Sequence, residues 1–415
     1  MHVCIIGGGI IGVASAYQLT KQGINVTLIE AEHDVAMKAS FANGGQLSYS
    51  YVAPLADPSV FVDLPKWLGR KDSPLKFTPQ LSFTQWRWLS HFLMACRSSV
   101  QSASTQALLS LSFLSRKNIH HWLEHDGLSF HHQVNGKLIV HESQKGWDSA
   151  RAQVEKQAKL GASQKLLNAE ELFALEPAME GMRGRAIGAV YTADEEVGDC
   201  HVLAKSMLEK LQQTSTFTLL TGVKVHGFKK SGSTVNAVHT TAGEIQADHF
   251  VVSSGVQSGS LLKPLGYSPL LFPLKGYSLT LDQENQSALF PKISVTDYAR
   301  RIVYAPIGTQ LRIAAMVDIK NFSNAVDPER IAILKNQIQG TFPQLNLRDA
   351  QPWAGLRPAT PTGKPIIGTC PNTQNVWMNI GHGALGFTLA AGSAQLLGEM
   401  LTGSALSVNP APFAP

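Results

Sequence analysis

Residues 3–12, with the sequence VCIIGGGIIG, decide the fold of this chain. Residues 2–6 are apolar and rich in β-branched side chains, which predicts a short strand. The glycines Gly7, Gly9 and Gly12 come next, and a helical pattern of apolar residues then continues to about Gln22. Because residues 25–30 predict a second strand, the start of the chain is predicted to be a β-α-β unit that binds a dinucleotide.

The three glycines have separate roles in such a unit. Gly7 permits the tight turn, Gly9 lets the backbone approach a pyrophosphate, and Gly12 lets the helix pack closely on the strand. Glu30 lies at the end of the second strand, where its carboxylate can accept hydrogen bonds from both hydroxyls of an adenosine ribose. Because the same negative charge would repel a 2′-phosphate, NADP is disfavoured. The glycines alone do not separate FAD from NAD. The contacts predicted at this end are Gly7, Gly8, Gly9, Ile10, Ile11, Gly12, Glu30 and Ala31.

The totals restrict the class of protein. A chain of 415 residues is longer than a domain with a single hydrophobic core usually is, so two domains are expected. The net charge of +5 is spread without a Lys/Arg block, which argues against a nucleic-acid partner. Four cysteines without a CxxC pair argue against disulfides, a zinc site or an iron-sulfur site and favour a cytoplasmic protein. The first 19 residues are predicted to fold, not to act as a signal peptide, because the glycines interrupt them.

The remaining chain alternates between helical and strand patterns. Residues 80–160 are predicted to be mainly helical, with a hairpin around Asn135 and Gly136. Asn168, followed by an acid at Glu171, predicts a capped helix start. Residues 216–255 predict a β-meander that returns to the nucleotide sheet, and residues 272–318 predict strands with a hairpin at Gly308. The residues after 403 are predicted to fray.

Several motifs together carry a family resemblance. They are the glycine turn, residues 40–46 (SFANGGQ), 273–278 (PLKGYS), 353–361 (WAGLRPATP) and 381–386 (GHGALG). With these motifs in order from residue 1 to about 403, the chain resembles the D-amino-acid oxidase family of FAD enzymes. The resemblance implies an α/β fold with a Rossmann-like FAD-binding domain from residues 1–55, 182–262 and 352–403. It also implies an α+β substrate domain with a mixed, antiparallel sheet from 56–181 and 263–351, followed by a tail, 404–415.

The same resemblance assigns the FAD contacts. The loop after the second strand is implied to line the isoalloxazine or ribityl chain, Val225 to meet the adenine, and Ser254 and Gly255 to pass the pyrophosphate. A glycine-rich helix start near residue 381 can stabilise negative charge on a reduced flavin. FAD is expected to be non-covalent, because no cysteine lies in or beside residues 355–358. The implied loop and C-terminal contacts are Ser40, Asn43, Gly44, Gly45, Gln46, Leu47, Gly381, Gly383, Leu385, Gly386 and Thr388.

The resemblance also implies the chemistry. Arg357 would bind the substrate carboxylate through a bidentate pair, with Tyr277 and Tyr298 as weaker candidates for substrate contact. The family's second tyrosine falls on Val303, so Tyr304 or Arg301 is expected to substitute. The reaction implied is hydride transfer from the α-carbon of a D-amino acid to flavin N5, giving a 2-oxo acid and ammonia, with a quinone or other acceptor taking the electrons. No general base is assigned.

Other polar residues receive structural interpretations from the sequence. The run Asp194, Glu195 and Glu196 is interpreted as a solvated face. His382 is interpreted as a packed or solvated residue instead of a chemical group.

Residues 81–97 form an apolar helix pattern with a stripe of Trp86, Leu89, Leu93 and Cys96, joined by Trp88 and Phe92. Basic residues lie nearby, which suits peripheral contact with the inner face of a membrane; the favoured alternative is a helix packed on the substrate domain. These basic residues are Lys66, Arg70, Lys71, Arg87 and Arg97.

Three other functions stay open at this point. One is oxidation of a secondary or cyclic amine such as D-hydroxyproline, proline, sarcosine or glycine. Another is a flavin electron-transfer subunit without a substrate. The third, a nicotinamide enzyme, leaves residues 40–46 and 381–386 without a role.

Overall fold

The computed structural model describes residues 1–415 except 51, 53, 62–69, 71, 160, 162 and 283–286. Its α-helices include α1 Ile10–Lys21, α2 Phe83–Ala95, α3 Ser98–Asp126, α4 Gln144–Ala158, α5 Ala169–Leu175, α6 Cys200–Leu211, α7 Ser258–Leu262, α8 Pro328–Thr341 and α9 Gly386–Thr402. Its earlier strands include β1 His2–Ile6, β2 Asn25–Ile29, β3 Gln46–Leu47, β4 Leu75–Phe77, β5 Gln133–Val134, β6 Lys137–His141, β7 Lys165–Asn168, β8 Gly188–Thr192 and β9 Glu196–Val197. Its later strands include β10 Phe217–Leu220, β11 Val225–Ser231, β12 Thr234–Thr240, β13 Gly243–Gln246, β14 His249–Val252, β15 Phe272–Asp282, β16 Ser294–Asp297, β17 Ile302–Ile307, β18 Gln310–Ile319, β19 Gln351–Ala359, β20 Ile366–Thr369 and β21 Val376–Ile380.

The first sheet holds the glycine turn. Its order is β10-β2-β1-β14-β21-β20, and its pairs are parallel except for β20 with β21. Residues 3–6 of β1 are buried on both faces, as expected of a parallel strand between layers. Helices α1 and α9 pack against each other over one face. The predicted β-α-β unit is therefore confirmed, with its turn at the carboxyl edge of β1.

The meander predicted for residues 216–255 is confirmed from β11 onward, whereas β10 pairs with β2 in the first sheet. Strands β11, β12 and β13 form an antiparallel three-stranded sheet, and β14 then returns to pair with β1. Val235 and Val238 attach this small sheet to the far face of the first sheet, where both are fully buried. The chain thus crosses the first sheet again beside the glycine turn.

The second large sheet has the order β19-β15-β18-β17-β16-β6-β8-β7, and β4 adds to β18. The hairpin predicted at Gly308 joins β17 to β18, and Gly308 adopts a φ of +57°. Strands β8 and β19 fall inside segments assigned to the FAD-binding domain by sequence, yet both pair in this second sheet. The domain boundaries stay a prediction, and this pairing favours leaving both strands with the second sheet.

The hairpin predicted around Asn135 and Gly136 is wrong. Gly136 does turn the chain, with a φ of +75° and its N–H bonded to the Glu195 carbonyl. However, β5 pairs with β9 in a small sheet with β3, whereas β6 pairs with β8 and β16. The strands diverge because each finds a longer-range partner, which a local turn signal does not reveal.

Two smaller predictions had opposite outcomes. The capping box is confirmed, since the Asn168 side chain accepts from the Glu171 N–H at 2.9 Å and the Glu171 carboxylate accepts from the Asn168 N–H at 2.8 Å. The predicted fraying after residue 403 is wrong at Phe413, which is 0% exposed and packs in the main core. Burying one aromatic ring offsets part of the entropy cost of ordering the tail.

The apolar helix pattern at residues 81–97 is confirmed as α2, and its predicted apolar residues are only partly buried. Trp88 and Phe92 are buried, and the Trp88 indole donates to the Ala359 carbonyl at 2.8 Å. Trp86 is 49% exposed, and Leu89 and Leu93 are only partly buried. The helix therefore packs on the second sheet, which agrees with the alternative favoured by the sequence.

The basic residues predicted near this helix are only partly described. Arg70 pairs with Asp72 at 2.8 Å, while Arg87 and Arg97 are exposed. Lys66 and Lys71 lie outside the described residues. No helix in the described part of the chain is both long and apolar enough to span a bilayer.

Candidate active site

The glycine turn forms a cradle at the carboxyl edge of β1. A Cβ on Gly12 would lie 1.8 Å from the Gly7 carbonyl oxygen, so only glycine permits this approach of α1 to the strand. A Cβ on Gly9 would meet, within 4 Å, only the Ser40 hydroxyl oxygen at 3.7 Å. Ser40 accepts the Ile10 N–H at 3.1 Å and fixes the helix start. The open face at Gly9 therefore suits a ligand that comes close to the backbone.

Glu30 holds the turn and also faces the cavity. Its two carboxylate oxygens accept the Gly8 N–H at 2.6 Å and the Glu32 N–H at 2.8 Å. Each oxygen retains acceptor capacity, because a carboxylate offers about four lone-pair sites. Glu30 can therefore still accept ribose hydroxyls.

One cavity of about 1420 Å³ runs from the glycine turn to the second sheet. This volume exceeds the roughly 300–1,000 Å³ of a site for one drug-sized ligand, so it has room for a dinucleotide and a substrate. Gly8, Gly12 and Leu47 are not among the lining residues. The predicted residues that line it are Gly7, Gly9, Ile10, Ile11, Glu30, Ala31, Ser40, Asn43, Gly44, Gly45, Gln46, Val225, Ser254, Gly255, Tyr277, Tyr298, Arg357, Gly381, Gly383, Leu385, Gly386 and Thr388.

The loop at residues 40–46 is fixed between the two sheets. The Asn43 side chain accepts the Gly45 N–H at 3.0 Å, which forms a local turn. Arg312 from β18 donates to the Asn43 carbonyl at 3.1 Å and pairs with Asp199 at 3.3 Å. Contacts at both ends of the loop thus hold Gly44 and Gln46 at the cavity wall.

The sequence analysis did not identify Lys137 as a residue of the cavity wall. Lys137 lines the cavity, is 6% exposed and donates from Nζ to the Ser48 hydroxyl at 2.8 Å. Burial lowers its pKa, and the Glu195 charge acts in the opposite direction. The available signal was a lysine directly before the apolar run at residues 138–140, because a lysine is rarely buried without a partner.

The interpretation of the acidic run as a solvated face is wrong for two of its members. Glu195 is 2% exposed and accepts the Ser50 N–H at 2.7 Å. Burial raises the pKa of Glu195, and nearby Lys137 opposes that shift. Only Asp194 is partly exposed, in a 2.7 Å ion pair with Arg116.

Glu196 lies in a polar cluster beneath α3. Its carboxylate contacts the Nε2 atoms of His120 at 2.6 Å and His132 at 2.7 Å, and the Arg116 side chain donates to it at 3.3 Å. Glu196 is buried because its strand pairs on both edges, with β3 and β5. The sequence does not show these pairings, so it did not reveal the burial of this acid.

Arg357 is held in the cavity wall by a close backbone approach. A Cβ on Gly276 would lie 2.3 Å from Nη2 of Arg357, so a side chain there would displace the guanidinium. Nη1 of Arg357 lies 3.4 Å from the Met316 carbonyl, at a β-bulge where Met316 adopts a φ of +65°. Gly276 and the bulge therefore position the guanidinium.

The charge of Arg357 has no acidic partner in the wall. No carboxylate of the described residues forms an ion pair with it within 4.0 Å. Burial lowers the pKa of its guanidinium, although arginine remains charged in proteins. Arg357 is half-buried, and partial loss of water from an unpaired cation favours a ligand of opposite charge. The site therefore suits a carboxylate ligand, and the role predicted for Arg357 stays a prediction.

The hydroxyl group of Tyr277 is already hydrogen-bonded within the cavity wall. Its hydroxyl donates to Asp318 at 2.8 Å, and Asp318 pairs with Arg330 at 2.9 Å. Burial raises the pKa of Tyr277, and the Asp318 charge raises it further. Because its one hydroxyl proton is used by Asp318, Tyr277 is a weaker candidate to donate to a substrate carboxylate.

Tyr298 and Val303 line the cavity beside Arg301. The Arg301 guanidinium lies 3.9 Å from the centre of the Tyr298 ring. Tyr304 is fully buried, packs on Phe342 with a ring distance of 4.7 Å and is not among the lining residues. Of the two expected substitutes for the missing tyrosine, Arg301 therefore reaches the cavity and Tyr304 does not.

The turn before α9 closes the opposite wall. Gly381 and Gly383 adopt φ values of +82° and +56°, and both line the cavity together with the first residues of α9. His382 is 3% exposed and hydrogen-bonds through Nε2 to the Ser393 hydroxyl at 3.1 Å. Burial lowers the pKa of His382 to about 3. His382 is thus a packed, neutral residue, and the start of α9 faces the cavity.

Burial of His382 predicts a specific pH dependence of stability. Because its folded pKa of about 3 lies below the usual value of 6.5, the unfolded chain binds more protons between these values. Stability is therefore lost as pH falls through 6.5, by about 2 kcal/mol between about pH 7 and pH 5 for this group. His382→Asn should remove that contribution, measured as the free energy of urea unfolding with saturating FAD. The exposed His121→Asn serves as control, and equal pH dependence in wild type and His382→Asn would contradict the assignment.

The sequence comparisons agree with this geometry. The family model described as "DAO: FAD dependent oxidoreductase" matches residues 2–400. "D-amino acid dehydrogenase 2" of Ralstonia nicotianae is 44% identical over 424 residues, covering 100% of this chain and 99% of the relative. A protein of that name from Pseudomonas aeruginosa is 45% identical over 402 residues, covering 96% of this chain and 94% of the relative.

Solved structures share the fold. Glycine oxidase from Geobacillus kaustophilus has a TM-score of 0.77 and 19% identity, covering 99% of this chain and 97% of that chain. L-proline dehydrogenase from P. horikoshii has a TM-score of 0.76 and 17% identity, covering 98% of this chain and 94% of that chain. The predicted α/β architecture with a Rossmann-like nucleotide sheet and a second mixed sheet is therefore confirmed.

Proposed function

The chain belongs to the DAO family of FAD-dependent oxidoreductases, and on that premise we propose that it is a dehydrogenase converting D-amino acids to 2-oxo acids and ammonia. The observation that carries the proposal is Arg357, a half-buried guanidinium without an acidic partner among the described residues, which lines the same cavity as the glycine turn. The relatives named D-amino acid dehydrogenase support the substrate class.

The described residues fit the cofactor FAD. Gly9 leaves its side of the turn open, Glu30 retains acceptor capacity for a ribose, and the N-termini of α1 and α9 both face the cavity. We propose that the flavin part of FAD is held by residues 43–46 and 381–386. The adenosine diphosphate part is held by Val225, Ser254 and Gly255. FAD, when bound, supplies the acceptor for the hydrogen of the substrate α-carbon. None of the four cysteines lines the cavity, which supports non-covalent binding.

The protein's own part in the reaction is orientation. Arg357 forms a planar, two-bond pair with the α-carboxylate, which fixes the position of the α-carbon in the cavity. Gly276 and Met316 fix the guanidinium in turn. The free N–H groups at the start of α9 favour negative charge that develops beside them.

Product analysis tests this function. With an artificial electron acceptor, D-alanine should give pyruvate and ammonia in equal amounts, whereas L-alanine should give little of either. Oxidation of proline, sarcosine or glycine, without oxidation of D-alanine, would replace the proposal with a cyclic or secondary amine dehydrogenase. Absence of turnover with all of these compounds would favour an electron-transfer subunit.

We also propose that the electrons pass to a quinone at a membrane surface that the protein contacts peripherally, by the surface around α2. Phe83 is 82% exposed, and Leu81, Trp86 and Met94 are exposed as well. Such a group of exposed apolar side chains is unusual on a soluble surface and suits an interface with lipid. Leu89 and Leu93 of the same helix line the cavity, so this surface and the cavity share one helix.

The double variant Leu81→Ser with Phe83→Ser should weaken sedimentation with anionic lipid vesicles severalfold, because it removes apolar contact area. It should also slow reduction of a vesicle-borne quinone while leaving the rate with a water-soluble acceptor unchanged. Leu406→Ser removes an exposed apolar side chain elsewhere and is the matched control. Equal vesicle binding by wild type and the double variant would contradict the proposed membrane contact.

A further inference from the structure

We propose that the preferred substrates are acidic D-amino acids, whose side-chain carboxylate binds Arg301 while the α-carboxylate binds Arg357. This inference rests on the proposed function and narrows its substrate class. It follows from where the second sheet places the two arginines and from the charges around them.

The strand register aligns the substrate wall. Five residues in paired positions, one on each neighbouring strand, line the cavity. In the order β19, β15, β18, β17 and β16 they are Trp353, Ser278, Ala314, Val303 and Thr296. Neighbouring strands are about 5 Å apart. The wall is therefore a strip of aligned positions across five strands.

The two arginines lie at separate places on this strip. The Arg357 guanidinium covers Gly276 of β15 and contacts the Met316 carbonyl of β18. Arg301 directly precedes β17, which lies on the other side of β18. Two strand spacings of about 5 Å place the backbone at Gly276 and that at Arg301 roughly 10 Å apart. The Arg357 guanidinium lies against Gly276, whereas the Arg301 guanidinium lies over the Tyr298 ring, so the two charges occupy separate places and suit a ligand with two carboxylates better than one carboxylate shared by both.

The conformation of Arg301 keeps its charge at the cavity. Arg301 adopts a φ of +56°, and its guanidinium is stacked on Tyr298 at 3.9 Å from the ring centre. No carboxylate of the described residues lies within ion-pair distance of Arg301, whereas the preceding Arg300 pairs with Asp297 at 2.8 Å and with Glu142. Arg300 thus holds the turn, and Arg301 is left to bind a ligand.

The charges along the substrate wall favour an anion. Among the described lining residues, those after residue 261 include Arg301 and Arg357 but no carboxylate. The acids that line the cavity, Glu30, Glu32 and Asp57, belong to other segments. Arg301 is exposed at the cavity, so a second carboxylate of the substrate can reach it, whereas a monocarboxylate held by Arg357 gains no contact there. A basic side chain at this place would face a like charge, which disfavours it.

Binding of substrate-like acids that cannot be oxidised tests the site apart from catalysis. The FAD-loaded wild type should bind glutarate at least about tenfold more tightly than butyrate, as read from the flavin absorbance. Arg301→Gln should weaken glutarate binding at least about tenfold more than butyrate binding. Arg348→Gln removes an exposed charge outside the cavity and should change neither affinity. Equal affinity for the two acids in wild type, or equal losses in Arg301→Gln, would overturn the inference; equal losses would place Arg301 on the same carboxylate as Arg357.

Turnover separates this inference from the proposed function. The ratio of kcat/KM for D-glutamate to that for D-alanine should fall at least about tenfold in Arg301→Gln. If D-alanine is oxidised and glutarate shows no preference, the proposed function stands and the acidic substrate class fails. If glutarate is preferred but no D-amino acid is oxidised, the dicarboxylate site stands and the proposed function fails.

Discussion

Replacement of Arg357 by alanine is expected to lower kcat/KM for D-amino acids roughly 10²- to 10³-fold. The variant leaves the substrate carboxylate in a partly buried wall without its cation, and breaking a buried pair in this way costs about 3–5 kcal/mol. Each 1.4 kcal/mol corresponds to about a factor of ten. FAD content should stay near that of wild type, because the Arg357 side chain lies on Gly276 and near Met316, away from the glycine turn. Steady-state kinetics and the flavin-to-protein absorbance ratio measure both effects.

Two matched variants sharpen this expectation. Arg357→Lys keeps the charge but loses the planar fork, so it should recover only a small part of the activity. Arg348→Ala removes an exposed arginine elsewhere and should leave kcat/KM unchanged. Normal activity of Arg357→Ala would contradict the proposed role of Arg357 in binding the substrate carboxylate.

Gly12→Ala is expected to yield a protein of much lower stability with little or no bound flavin. The new Cβ would lie 1.8 Å from the Gly7 carbonyl oxygen and 2.7 Å from the Ser253 hydroxyl oxygen, so α1 must move away from β1. Overpacking of a close contact typically costs about 1–3 kcal/mol, and here it also displaces the cradle. The melting temperature and the flavin content of the purified protein measure the two consequences.

Gly9→Ala separates cofactor binding from folding. Its Cβ would have no protein atom closer than 3.7 Å, and Gly9 has an ordinary φ of −67°, so the apoprotein should keep its melting temperature. The methyl group would occupy the open face at which the pyrophosphate is proposed to approach, so FAD affinity should fall at least about tenfold. Gly259→Ala, with open space around it, is the control. Full flavin occupancy in Gly9→Ala would contradict the proposed placement of the pyrophosphate.

The sequence was sufficient where spacing alone fixes geometry. Gly7, Gly9 and Gly12 act within one turn, and the capping box spans only Asn168 and Glu171, so short-range patterns predicted them correctly. The family resemblance predicted the residues of the remaining cavity, and most of these residues line it.

The sequence was insufficient where burial depends on distant partners. Glu195 and Glu196 form part of an acidic run, yet strand pairing and α3 cover them. The sequence places Trp86 and Trp88 in one apolar helix, and only the structure shows that Trp88 is the buried one, with its indole donating to a carbonyl of β19. The separate position of Arg301 follows from the order of β15, β18 and β17, which only the sheet topology provides.

Anaerobic titration of the oxidised, FAD-loaded protein tests the central claim most directly. A panel of D- and L-amino acids with cyclic and secondary amines is added without an electron acceptor, and the flavin absorbance is followed. The account predicts bleaching by D-amino acids, strongest with D-glutamate, little bleaching by their L-isomers, and loss of rapid bleaching in Arg357→Ala. Bleaching by L-amino acids or cyclic amines alone, or undiminished bleaching in Arg357→Ala, would contradict it.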